Sequence, residues 1–66
     1  MRTIAAERAL KGWKQSDLAE KLGTTQATIC LWENGKVVPS SGAIVKMAKL
    51  FGCTTDYLLG LSDSRV

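Results

Sequence analysis

The 66-residue sequence predicts a single all-α domain built from five short helices. Apolar residues recur with the period of an α-helix in several segments, and glycines or N-cap residues separate these segments. No stretch combines alternating polarity with the β-branched enrichment typical of strands. A chain of this length buries only about 60% of the surface that its unfolded form exposes. We therefore expect a thin core that relies on helix packing, a partner subunit or both.

The first helix is predicted over residues 3–11, and Gly12 ends it. Positions i, i+1, i+4 and i+5 share one face of a helix. In this segment those positions are occupied by Ile4, Ala5, Arg8 and Ala9. Leu10 does not fit this face.

The second and third helices are predicted over residues 15–22 and 26–33. Gly23 follows the second helix directly, as expected of a residue that ends a helix in the left-handed conformation. Thr25 is a natural N-cap for the third helix, which the Asn34-Gly35 pair stops. The inward positions of the two helices are Leu18, Ala19, Leu22, Ile29 and Trp32.

The fourth and fifth helices are predicted over residues 41–51 and 55–59. The apolar face of the fourth follows the i, i+3, i+4, i+7 pattern with Ile44, Met47, Ala48 and Phe51. Thr54 caps the fifth helix and Gly60 ends it. The predicted organisation is one domain over residues 1–60 and a polar tail over residues 61–66.

Composition argues against several classes of function. The chain has no histidine, which removes the commonest general base and the commonest zinc ligand. Cys30 and Cys53 have no second pair to complete a zinc site. No phosphate loop of the Gly-rich type and no paired carboxylates in a plausible cleft are present, so we expect neither catalysis nor a cofactor. Without an apolar run of membrane-spanning length or a secretory signal, the expected location is the cytoplasm, away from any membrane.

The spacing within residues 15–34 predicts a helix-turn-helix. Ala19 supplies the small residue that two closely crossing helices need, and Gly23 suits the tight turn between them. Apolar anchors on both helices can be shared across the crossing. The same spacing is also compatible with an ordinary helical hairpin in a small bundle.

The outward face of the third helix favours recognition of DNA bases. It carries no charge, and its residues are Gln26, Ala27, Thr28, Cys30 and Leu31. A glutamine amide can bond adenine in the major groove, and small or apolar groups can pack on a thymine methyl. Phosphate contacts are expected from helix N-termini and from the flanking residues Lys14, Gln15, Thr25, Asn34 and Lys36. The net charge of +3 is only weak support for a polyanionic partner.

Residues 13–60 resemble the Cro and lambda-type repressor helix-turn-helix family, also called the XRE family. The matching positions are Gln15, 18–23, Ile29, 32–36, 39–40, 46–51, Gly52 and 56–60. Each motif is weak alone, but the ordered set is highly specific. The resemblance implies a compact five-helix, lambda-repressor-like domain that binds DNA, usually as a symmetric dimer.

The resemblance also implies roles for single residues. Gln15 is expected to contact phosphate and to support Gln26, which reads a base. Positions Ala27, Thr28 and Leu31 are expected to complete the major-groove surface. Glu33 is expected to pair with Arg8 in a structural role.

Three features depart from the family pattern. Lys14 stands where a serine or threonine usually caps the second helix. Leu31 occupies a position that is frequently arginine or another polar residue. Val37 and Val38 replace residues that are often basic, which reduces the charge available for DNA binding.

Together these features predict a sequence-specific regulator of transcription, expected to be a repressor, that binds double-stranded DNA as a homodimer on a palindromic operator. Tyr57, Leu58 and Leu61 are predicted to form the dimer interface, although Tyr57 and Leu58 could instead complete the core. The alternative is an antitoxin-like or adaptor module that binds a protein partner through the third helix.

Overall fold

A computed structural model describes residues 2–63 of the chain. It contains five α-helices: α1 (Arg2–Leu10), α2 (Gln15–Leu22), α3 (Gln26–Glu33), α4 (Ser41–Phe51) and α5 (Thr55–Leu58). No strand occurs in this part of the chain, and the predicted all-α class is confirmed. The bounds predicted for α2, α3 and α4 are those observed, whereas α1 begins and ends one residue earlier and α5 ends one residue earlier. Residues 64–66 of the predicted tail lie outside the described residues.

The helix starts follow from local hydrogen bonds. Thr25, Ser40 and Thr54 each accept a hydrogen bond through the side-chain oxygen from the backbone N–H three residues later. Lys14 precedes α2 but makes no side-chain cap, because an ammonium group has no lone pair to accept with. Instead the Asp17 carboxylate accepts from the Lys14 backbone N–H at 2.8 Å. The start of α2 therefore keeps only one half of a capping box.

All five helices contribute to one hydrophobic core. Full burial of a large apolar side chain contributes about 1.5–3 kcal/mol, so this small set dominates the stability of the domain. The buried apolar residues are Ile4, Leu18, Ala19, Ile29, Trp32, Ile44, Met47, Ala48, Phe51 and Leu58.

The inward face predicted for α1 is partly wrong. Ile4 is buried as expected, but Ala9 is exposed and the second buried residue is Glu7, which is only 1% exposed. The Glu7 carboxylate accepts a hydrogen bond from the Tyr57 hydroxyl at 3.3 Å. This bond supplies a polar partner inside the protein and joins α1 to α5, a contact between residues far apart in sequence.

The dimer interface predicted around α5 also needs correction. Leu58 is fully buried in the core of its own chain, so it cannot offer a side chain to a partner subunit. Tyr57 is half-buried, and its hydroxyl is directed to Glu7. Only Leu61 of the three predicted residues is widely exposed, at 76%.

The turn between α2 and α3 is set by Gly23. Its φ of +70° lies in the left-handed region, which glycine adopts without steric cost. The Gly23 N–H donates to the Glu20 carbonyl, and the Thr24 N–H donates to the Ala19 carbonyl at 2.9 Å. These two bonds form a Schellman motif, which ends α2 and turns the chain toward α3.

We expect Gly23→Ala to lower the free energy of unfolding by about 1–2 kcal/mol, since a left-handed conformation costs a residue with a Cβ roughly that amount. A Cβ at position 23 would meet no atom within 4 Å, so the cost is one of backbone conformation alone. Denaturant unfolding followed by circular dichroism measures the change.

Gly42→Ala is the matched control. Gly42 lies in the first turn of α4 without a positive φ, and an added Cβ there also meets no atom within 4 Å. We expect the free energy of unfolding of Gly42→Ala to be unchanged or raised by up to about 1 kcal/mol, because alanine has a higher helix propensity than glycine. Equal destabilisation by Gly23→Ala and Gly42→Ala would contradict the view that the left-handed backbone at Gly23 causes the cost.

Candidate nucleic-acid interface

Helix α3 has a buried side and an uncharged exposed side. Ile29 and Trp32 anchor it in the core. Its exposed residues are Gln26, Ala27, Cys30 and Leu31. Leu31 is 37% exposed. Thr28, predicted on the same surface, is half-buried, and its hydroxyl lies 2.9 Å from that of Thr25.

The single charge of α3 does not reach its exposed face. Glu33 is the only charged residue between Gln26 and the end of the helix. Its side chain is 9% exposed and pairs with Arg8, whose Nε donates to Oε2 at 2.6 Å. The outer face therefore presents one amide, a thiol and methyl groups, which are groups that can contact base edges.

The residues predicted to contact phosphate lie beside α2 and α3 along the chain. Lys14 is exposed just before α2, and Lys36 is exposed just after α3. Asn34 is exposed as well, and its side-chain oxygen accepts from the Lys36 backbone N–H at 3.1 Å. This bond shapes the turn that carries Lys36. The Thr25 hydroxyl is already engaged as the cap of α3, where it accepts from the Thr28 N–H at 3.2 Å.

A hydrogen-bonded network under the surface joins α1, α2 and α3. The Glu33 carboxylate accepts from Arg8 Nη2 at 3.1 Å and from Gln15 Nε2 at 3.0 Å, both at Oε1. Arg8 Nη1 also donates to the Trp13 carbonyl at 2.8 Å. We refer to Arg8, Gln15 and Glu33 as the Glu33 network. It links the N-terminus of α2 to the C-terminus of α3.

The network shifts the pKa of both charged members. Burial disfavours the ionised form of Glu33, but hydrogen bonds from Arg8 and then Gln15 favour it more strongly, so the pKa of Glu33 is lowered. The hydrogen bond to Glu33 raises the pKa of Arg8 against the smaller opposing effect of burial. Both groups are therefore charged at neutral pH.

The support of Gln26 by Gln15, which the resemblance implies, is not the arrangement observed. Gln15 directs its amide nitrogen to Glu33, and within residues 2–63 no hydrogen bond joins it to Gln26. The carboxylate is the stronger acceptor because it is charged. No local pattern could indicate this contact, because 18 positions separate Gln15 from Glu33.

Trp13 is a residue of this region that sequence reasoning overlooked. Its ring packs against the core, with its centroid 6.1 Å from that of Phe51. The Lys21 ammonium lies 4.7 Å from the centre of the same ring, a favourable cation–π contact. Trp13 lies two positions before the start of α2, and its only signal in the sequence was that of a large aromatic residue next to a predicted helix.

No helix among the described residues is long and apolar enough to cross a membrane. In residues 2–63 there is also no group of three or more His, Cys, Asp or Glu side chains that could hold a metal ion.

Two short helices joined by a tight turn, with an anchored second helix and an uncharged outer face, define a helix-turn-helix domain. The family model for helix-turn-helix proteins matches residues 4–58. The chain therefore belongs to the helix-turn-helix family of DNA-binding transcriptional regulators, of the XRE or lambda-repressor type.

The relatives carry the same family description. An uncharacterized HTH-type transcriptional regulator of Methanocaldococcus jannaschii is 49% identical over 56 residues, covering 85% of each chain. Another, from Archaeoglobus fulgidus, is 36% identical over 67 aligned positions, covering 100% of this chain and 96% of that protein. The crystal structure of the P22 c2 repressor in complex with a synthetic operator matches with a TM-score of 0.85 at 26% identity, over 92% of each chain.

The lowered pKa of Glu33 predicts a loss of stability in acid. A carboxyl group with a depressed folded-state pKa stabilises the fold fully above its ordinary value, 4.5 here, and progressively less as the pH falls through the folded-state value. We expect wild type to be more stable than Glu33→Gln at pH 7. We also expect this difference to shrink below about pH 4.5, as measured by urea unfolding across pH 2.5–7.

Glu20→Gln is the control for this series, because Glu20 is an exposed acidic residue on α2. Its effect should stay within about 0.5 kcal/mol across the range. A stability difference between wild type and Glu33→Gln that does not change with pH would contradict the role given to the Glu33 charge.

Proposed function

We propose that this protein is a sequence-specific repressor of transcription that inserts α3 into the DNA major groove as a homodimer on a palindromic operator. The observation that carries this proposal is the uncharged, exposed face of α3 on a helix anchored by Ile29 and Trp32. The likeness to a repressor solved with its operator supports the same orientation.

Base readout is assigned to the exposed residues of α3. Gln26 stands at the first position of the helix, and its exposed amide can donate to N7 and accept from N6 of an adenine once the amide is oriented. Ala27 and Leu31 lie one helical turn apart and offer methyl groups to thymine. Thr28 completes the surface through its methyl group, since its hydroxyl faces Thr25.

Phosphate contacts are assigned to residues that flank the two helices. Lys14, Gln15 and the first backbone N–H groups of α2 serve at the start of α2, where the helix dipole also favours an anion. Asn34 and Lys36 serve after the end of α3, and Thr25 stands at its start. The net charge of +3 is modest, so these few contacts would provide most of the electrostatic attraction.

A homodimer follows from the geometry of helix-turn-helix recognition. Two such domains related by a two-fold axis bind half-sites about 34–36 Å apart, one turn of the double helix. The exposed Leu61 and the half-exposed side of Tyr57 remain the proposed contact between subunits. Leu58 takes no part because it is buried in its own core.

The exposed Leu31 and Cys30 favour a second candidate function. Apolar surface on α3 could be covered by another protein, as in an antitoxin or an adaptor. The two functions differ in a measurable way, because a protein-interaction module selects no DNA sequence and a repressor does.

Selection of bound sequences from a random duplex library, at about 100 mM salt, tests the proposal. We expect wild type to enrich a palindrome. Gln26→Ala should lose the base preference at one pair of each half-site, at a cost of about 1–3 kcal/mol. Lys49→Ala, at an exposed position of α4, should leave the selected sequence unchanged. Folded wild-type protein that enriches no sequence would refute the repressor function and leave the protein-interaction module.

Salt dependence tests the phosphate contacts. If the two subunits together neutralise about 6–10 phosphates, the affinity should fall roughly 10³–10⁵-fold between 50 and 200 mM salt. Lys36→Ala should weaken binding to every sequence alike and lower the salt slope by about one per subunit. Fluorescence anisotropy titrations on the selected operator and on a scrambled duplex measure both effects. A sequence-dependent loss in Lys36→Ala would place that side chain on a base instead.

A further inference from the structure

We propose that Glu33 is a positioning residue for DNA binding: its carboxylate, clamped by Arg8, holds the Gln15 amide so that the remaining amide hydrogen can reach a phosphate. The inference rests on the proposed function. It assigns Glu33 and Arg8 a role in recognition beyond that of a structural ion pair.

The clamp on Glu33 is bidentate. Arg8 donates through Nε to one carboxylate oxygen at 2.6 Å and through Nη2 to the other at 3.1 Å. Paired bonds of this kind fix the plane of the carboxylate as well as its position. Arg8 is itself held, since its Nη1 donates to the Trp13 carbonyl at 2.8 Å. Glu33 is thus a rigid acceptor, with its side chain only 9% exposed.

A rigid carboxylate fixes which end of the Gln15 amide faces it. An ionised carboxylate only accepts, so the amide nitrogen must face Glu33 Oε1, as it does at 3.0 Å. That nitrogen carries two hydrogens, and Glu33 takes one. The second remains as a donor on a half-buried side chain at the first residue of α2. The backbone N–H of Gln15 lies at the same position and precedes the first bonded N–H of the helix, that of Leu18.

The charge of Glu33 is compatible with a neighbouring phosphate because Arg8 neutralises it. An unpaired carboxylate near DNA would repel the backbone, and a freely rotating glutamine would present nitrogen or oxygen equally well. The Glu33 network removes both problems. It presents a donor of fixed orientation and adds no net charge.

The same network separates phosphate positioning from base readout. The Gln15 amide is committed to Glu33, and the Gln26 side chain has no hydrogen-bond partner among the described residues. Gln26 thus keeps both its amide oxygen and its amide nitrogen for one base. Loss of Gln15 should therefore weaken binding without altering the base preference that depends on Gln26.

A scan with methylphosphonates, which replace single charged phosphates by neutral groups, tests the inference on the selected operator. We expect one phosphate per half-site whose neutralisation costs wild type about tenfold or more, the effect of a hydrogen bond to a charged group. In Gln15→Ala the loss at that phosphate should fall to about threefold, because only backbone N–H groups at the start of α2 remain to contact it, while losses at the other phosphates persist.

The decisive variant is the double change Arg8→Met and Glu33→Met. Replacing an ion pair by apolar side chains of similar size commonly preserves the fold, which circular dichroism and thermal unfolding verify. The affinity of this variant should respond less to the methylphosphonate at the Gln15 phosphate, as the affinity of Gln15→Ala does. Glu33→Gln should keep more of the wild-type response to that methylphosphonate, because its amide oxygen can still accept from Gln15. A purely structural ion pair would weaken all phosphate contacts alike and would single out none.

The outcomes separate this inference from the proposed function. A double variant that keeps wild-type sensitivity at the Gln15 phosphate overturns the positioning role, while the repressor function stands. If Gln15→Ala relaxes the preference for the base that Gln26 reads, the positioning role is also overturned, because Gln15 would then support Gln26 directly. A wild-type protein that selects no sequence overturns the proposed function and the positioning role together.

Discussion

The ion pair between Arg8 and Glu33 determines how the first three helices of this domain are held together. Each of these helices has only eight or nine residues, too few to be stable alone in water. Apolar packing holds them against one core but is not directional. The bidentate pair and the bond from Gln15 add direction, because they align the end of α3 with α1 and with the start of α2.

Much of the fold could be predicted because its signals are local. Thr25, Ser40 and Gly23 mark helix ends through hydrogen bonds or backbone conformations that involve only nearby residues. The errors arise where distant residues decide. Glu7 is buried and accepts a hydrogen bond from Tyr57, 50 positions away, whereas a helical pattern alone would leave a glutamate outside. Leu58 shows the related limit that a four-residue helix has too few positions to indicate which side faces inward.

The candidate site was predictable to a similar extent. Helical periodicity separates the exposed Gln26 and Leu31 from the buried Ile29, because an anchored helix leaves little choice of orientation. The partner of Gln15 was not predictable from periodicity or from the family resemblance. A glutamine amide has several acceptors within reach, and only the tertiary arrangement decides which one it bonds. In the structure, the acceptor for the Gln15 amide is the charged Glu33 carboxylate.

The recognition helix that we propose, α3, has no outward charge, so it would gain little from DNA of the wrong sequence. Most of the attraction between proteins and random DNA comes from cations near phosphates, and a genome offers about 10⁶–10⁹ such competing sites. A protein with the uncharged α3 face and the valines at positions 37 and 38 would spend less time trapped on them. Fewer copies would then suffice to occupy an operator, at the cost of a slower search along the duplex.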